Sequence, residues 1–76
     1  MSTKIKLDIS NIKKFVEIVR DFPSDVDIIS GKTVLDAKSL LAIYSLDVSK
    51  PLEVKIISDN KEEIREFDAK MEEFIW

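Results

Sequence analysis

The chain has 76 residues, with 12 Lys and Arg against 15 Asp and Glu, for a formal net charge of −3. Its 45% apolar and 36% charged content fits one small globular domain over residues 1–76 rather than a disordered tail. It contains no cysteine and no histidine, which removes disulfides, thiolate metal sites, cysteine nucleophiles and phosphate carriage on an imidazole.

The acidic balance argues against a nucleic-acid partner, because phosphate contacts need concentrated Lys and Arg. Lys4, Lys6, Lys13 and Lys14 come nearest to a basic cluster, and a solvated strand face and helix start account for them. No apolar run reaches the roughly 20 residues of a membrane span. The opening MSTKIKLD lacks the apolar stretch of a signal peptide, so a cytoplasmic location is expected.

Ile5, Leu7 and Ile9 alternate with Lys4, Lys6 and Asp8, which predicts a first strand with one buried face. Ser10 or Asn11 can then cap a helix, since their side-chain oxygens accept orphan N–H bonds. Ile12, Phe15, Val16, Val19 and Phe22 recur at spacings of three and four, a single apolar stripe, and Pro23 ends the helix. Asp25 to Ile29 and Lys32 to Leu35 read as strands around a tight Ser30-Gly31 hairpin, with glycine supplying positive φ. A short helix follows at about Ser39 to Ser45, with Leu40, Leu41, Ile43 and Tyr44 as its apolar members.

Beyond Pro51, Leu52, Val54 and Ile56 alternate with Glu53 and Lys55, which predicts the fourth strand. Asp59, with Glu62 three residues on, resembles a capping box that opens a last helix striped by Ile64, Phe67, Met71 and Phe74. The order βαββαβα, with single-striped helices and half-buried strands, implies α+β with helices on one face of an antiparallel sheet. Strand four could slot between strands one and two; a ferredoxin-like arrangement competes, and periodicity does not separate them.

Ser30 to Leu46, SGKTVLDAKSLLAIYSL, resembles the middle of HPr, the histidine-containing phosphocarrier family of the sugar phosphotransferase system. The similarity runs from about Phe22 to the end. Its specific parts are Gly31-Lys32-Thr33-Val34, Ala37-Lys38-Ser39-Leu40 and Ser45-Leu46. The resemblance implies an open-faced sandwich with sheet order 1-4-2-3 and three helices on one side. The family's Gly-[Ile/Leu]-His-x-Arg-Pro segment, which presents the phosphorylated histidine at the first helix, has no counterpart. Asp8-Ile9-Ser10-Asn11-Ile12 stands there instead, on a shorter connection. Ser10 as a substitute acceptor gives way to capping, and a serine phosphate ester lacks the labile P–N bond of phosphohistidine.

Ser39 matches the serine that, in Gram-positive members of the family, a dedicated kinase phosphorylates to control docking. Phosphate there would add about −1.5 to −2 charges; alternatively Ser39 is simply the N-cap of a short helix. The family docks its partners on apolar residues of the second helix, and the matching positions are Leu40, Leu41 and Tyr44. Core packing explains Ile43 and one leucine equally well. Asp47 replaces the family's glycine after Ser-Leu and is expected to keep the turn, because Asp tolerates the left-handed region. The partners implied are phosphotransferase-system enzymes, HPr kinase or a transcriptional regulator.

Other chemistry is sparse. Asp25 and Asp27 share an outward strand face, and the last helix's Glu62, Glu63, Glu66, Glu72 and Glu73 decorate a solvated side. There is no glycine-rich phosphate loop and no recognisable triad, so neither catalysis nor a cofactor is expected. Trp76 is expected to pack on its own domain, with a dimer contact as the alternative, which makes the chain a monomer or weak dimer.

Overall fold

The computed structural model describes residues 2–76. The elements are β1 (Thr3–Ile5), α1 (Ile12–Arg20), β2 (Asp25–Ser30), β3 (Thr33–Asp36), α2 (Leu40–Tyr44), β4 (Leu52–Ile57) and α3 (Lys61–Met71), then a 3-10 turn at Glu72–Phe74. The sheet order is β1-β4-β2-β3 and every neighbouring pair is antiparallel. β4 therefore lies between β1 and β2, which rules out the ferredoxin-like alternative and gives the open-faced sandwich.

Alternation explains the two faces. Leu52, Val54 and Ile56 of β4 and Val26 and Ile28 of β2 are buried, and they meet the stripe Ile12, Phe15, Val16 and Val19 of α1. From α3, Phe67 and Met71 are buried, while Ile64 is half-buried. Two edge-to-face aromatic pairs, each with 5.4 Å between centroids, tie this region to the C-terminal elements: Phe15 of α1 meets Phe74, and Phe22, expected in the helix stripe but lying beyond the end of α1, meets Phe67 of α3. Phe74 belongs to the 3-10 turn rather than to α3, so the fourth member of the expected stripe is buried from a tighter coil.

Several local expectations need correction. β1 ends at Ile5; Leu7 is still buried, but Ile9 is 85% exposed. The chain turns because the Asp8 carboxylate accepts from the N–H of Ser10 at 2.9 Å and of Asn11 at 3.1 Å. Asn11 holds the N-cap position of α1 without a side-chain cap bond; its Oδ1 accepts the Asp8 N–H at 2.7 Å instead. Ser10 does not cap either, for its hydroxyl donates to Asp8.

The hairpin loop is Gly31-Lys32, one residue later than expected, because Ser30 still pairs with Thr33. Gly31 takes φ +59°, as a two-residue loop of this hand requires. Asp47 is not left-handed. It keeps its turn by accepting from the Ser49 N–H at 3.1 Å and from the Ser49 hydroxyl. Asn60, not Asp59, caps α3, accepting from Glu62 N–H at 3.0 Å and Glu63 N–H at 3.2 Å.

The C-terminal residues extend the sheet. Ile75 bridges Ile5, the Lys6 N–H donates to the Phe74 carbonyl at 2.7 Å, and the Trp76 N–H donates to the Lys4 carbonyl at 3.3 Å. The Trp76 ring stays half exposed, with the Lys6 ammonium 5.3 Å from its centroid, so it lies at the edge of its own domain rather than over the core. No helix among the described residues is long and apolar enough to cross a membrane.

Candidate functional site

The segment from Asp36 to Leu46 is anchored at both ends. Ala37 is fully buried and its N–H donates to the Val26 carbonyl at 2.9 Å, so the chain leaves β3 in a fixed direction. The Asp36 side chain accepts the Lys38 N–H at 2.9 Å and its carbonyl accepts the Ser39 N–H at 3.1 Å. From the far side, Arg20 Nε donates to the Lys38 carbonyl at 3.0 Å, and Lys38 Nζ donates to the Phe22 carbonyl at 2.6 Å. These two cations at the end of α1 satisfy backbone carbonyls and favour the negative end of its dipole.

Ser39 then opens α2. Its backbone is extended, its Oγ accepts the Ala42 N–H at 3.2 Å, and its carbonyl accepts the Ile43 N–H at 3.2 Å. Within the five-residue helix, burial divides the apolar side chains sharply. Ile43 is fully buried and Leu40 packs half-buried against the core, whereas Leu41 is 82% and Tyr44 53% exposed. Leu41 and Tyr44 are three residues apart and so share one face. The structure therefore brings Ser39, Leu41 and Tyr44 onto one short element and turns Leu40 inward. Ser45 closes the helix, its N–H donating to the Ala42 carbonyl at 3.1 Å.

The other segment of interest is the β1–α1 connection. The Asp8 carboxyl is held below the usual aspartate range, mainly by the Ser10 hydroxyl and then by backbone N–H groups of Ser10 and Asn11. With no histidine in the chain, this connection offers carboxylate, amide and hydroxyl groups but no imidazole. No cluster among the described residues has the His, Cys, Asp or Glu grouping of a metal site.

Sequence reasoning placed Ser39 and its helix correctly but missed Arg20 and Lys38 as the groups that hold the approach to Ser39. Both contacts lie 16 or more residues apart in the chain, and no local pattern encodes them. The exposure of Ile9 was missed as well; the signal available was Asp8 two residues before Ser10, an Asx-turn spacing.

No curated protein matches the chain significantly. A protein-family model, described as the PTS HPr component phosphorylation site, matches residues 2–75. That match spans nearly the whole chain, and the sheet order and helix placement agree with it, so the protein belongs to the HPr family of the phosphotransferase system.

Proposed function

We propose that this HPr-family chain is a non-catalytic regulatory or protein-binding module, with Ser39 as its phosphorylated switch and Leu41 and Tyr44, backed by Leu40, as its docking face. The observation that carries the reading is the exposure of Leu41 and Tyr44 directly after Ser39, in a chain that has no histidine. Two large apolar side chains left in solvent on one face of a short helix support this reading. Phosphorylation of Ser39 would place a charge of about −1.5 to −2 at the border of that surface and change which partner it accepts. Partners fitting this reading are phosphotransferase-system enzymes, an HPr kinase and a transcriptional regulator, met in the cytoplasm.

The test is phosphorylation by an HPr kinase with ATP, read by mass spectrometry, followed by binding assays on native protein and Ser39→Ala. A phosphate on Ser39 and an altered partner affinity support the proposal. No modification, with binding unchanged in Ser39→Ala, sinks it. The bond from Ala42 N–H to Ser39 Oγ favours a second reading, in which Ser39 is a helix cap and the fold serves an unrelated protein interaction. Under that reading Ser39→Ala loses stability and nothing else.

A further inference from the structure

β3 is the outermost strand of the sheet, and β2 is its one strand neighbour. The Ala37 N–H donates to the Val26 carbonyl at 2.9 Å, which fixes which backbone groups along β3 face inward. Alternation of an antiparallel ladder then points the backbone groups of Thr33 and Leu35 at β2. It points the Val34 N–H and carbonyl, the Asp36 N–H and the Lys32 carbonyl away from the sheet. Among the described residues, none of these outward groups has a backbone partner. The Asp36 carbonyl also faces out, and it accepts the Ser39 N–H at 3.1 Å.

The side chains along this edge are their own complement. Lys32 stands two residues before Val34 and Asp36 two residues after it, and all three are exposed. Val34 lies across from Ile29 on the sheet face turned away from the helices. Asp36 lies across from Asp27, a like-charge pair that costs stability, and Lys55 answers only on the far side of Asp27. Among the described residues, the Asp36 carboxylate accepts the Lys38 N–H at 2.9 Å and meets no cation. The row Lys55, Asp27, Asp36 therefore lacks a base at the open edge.

We propose that a second copy of this chain adds to the edge, β3 against β3, antiparallel about a two-fold axis at Val34. Val34 of each copy exchanges its N–H and carbonyl bonds with Val34 of the other. Each Asp36 N–H donates to the Lys32 carbonyl across the axis, and the two sheets become one. The same register sets Lys32 of each copy against Asp36 of the other, which supplies the base missing from each acid row. Ile29 and Val34 of both copies then form one apolar row across the joint. Charge selects the occupant: an edge of a single sign would repel its own copy, whereas Lys32 and Asp36 exchange places under the two-fold. The short edge and its exposed charges suit a reversible dimer.

Sedimentation equilibrium of the full chain, over about a hundred-fold range of concentration, is expected to show a monomer–dimer equilibrium weakened by salt. Amide exchange at Val34 and Asp36 should slow as concentration rises, while that at Leu35, bonded to β2 in both states, stays unchanged. Lys32→Glu and Asp36→Lys are each expected to weaken self-association at least about ten-fold. An equimolar mixture of the two variants should recover it, because opposite charges again face each other at both ends of the joint. That recovery also shows that both variants fold. Val34→Pro removes the outward N–H without touching a bond to β2, and is expected to abolish the dimer. It gives the same readout should Asp36→Lys disturb the turn at Lys38. A single monomer mass throughout, association indifferent to charge reversal, or no recovery in the mixture would each overturn the proposal. So would protection that rises with concentration at Trp76, or at Leu41 and Tyr44, in place of Val34 and Asp36.

Discussion

The Ser24 N–H and hydroxyl both donate to the Glu63 carboxylate, at 3.2 and 2.6 Å, and so fasten the turn between α1 and β2 to the first turn of α3. This clamp holds the Glu63 carboxyl below its ordinary 4.5, chiefly through the Ser24 hydroxyl and next through Ser58. Asp47 is lowered from 3.8 chiefly by the Ser49 hydroxyl, and Asp8 from 3.8 chiefly by the Ser10 hydroxyl. A carboxyl whose folded value is depressed contributes stability that is present above its unfolded value and lost as pH falls through its folded value. Stability should therefore hold near neutrality and decline on acidification below 4.5 and then 3.8. Glu63→Gln is expected to flatten the first part of that decline in melting curves taken across pH.

Asn60 and Asp59 are separated by their consequences. Asn60 satisfies two orphan N–H groups of α3, so Asn60→Ala is expected to cost about 1 kcal/mol in urea unfolding. Asp59 makes no cap bond to the helix, and Asp59→Ala should stay within about 0.5 kcal/mol. A larger loss at Asp59 than at Asn60 would restore the capping box expected from the sequence.

What the sequence shows and hides follows from range. The alternation of Leu52, Val54 and Ile56 and the stripe from Ile12 to Val19 are local periodicities, and both elements form where they predict. The helix at Ser39 was legible because its cap, its apolar members and its family resemblance coincide within seven residues. Turn details failed where several side chains could serve one backbone need. Asp8 rather than Ser10 turns the chain before α1, and an Asx turn replaces the left-handed residue expected at Asp47. The Ser24–Glu63 clamp joins residues 39 apart, and only the packing of α3 beside the α1–β2 turn brings them together.

Gly31 isolates the conformational cost of a left-handed residue. Its φ is +59°, and a Cβ placed there meets nothing within 4 Å. Gly31→Ala is therefore expected to cost about 1–2 kcal/mol through backbone strain alone, without a clash. Gly31→Asn should recover much of the loss, because Asn enters this region more readily. Paired denaturation curves measure both; equal losses for the two variants would mean that the loop has changed shape.

The absence of histidine makes a direct prediction for phosphoenolpyruvate and enzyme I. The chain should acquire no acid-labile, base-stable phosphate label in their presence. Such a label marks a P–N bond, and without an imidazole only a lysine or arginine nitrogen could carry it. Label that is instead lost to hydroxylamine would indicate an acyl phosphate and direct attention to the Asp8 carboxylate.

Leu41 and Ile43 lie two residues apart on the same short helix, one 82% exposed and the other fully buried. Ile43→Ala removes core volume and is expected to cost about 2–5 kcal/mol, a large share of the roughly 5–15 kcal/mol that holds a small domain. Leu41→Glu should change stability by no more than about 0.5 kcal/mol, because its side chain already faces water. If Leu41 and Tyr44 form the docking face, the same Leu41→Glu substitution abolishes partner binding while the melting temperature stays put. The two variants together separate a surface kept apolar for a partner from one that is apolar by chance. Unchanged binding in Leu41→Glu would leave Leu41 without a docking role, and the α2 surface would no longer be the place to look for the partner.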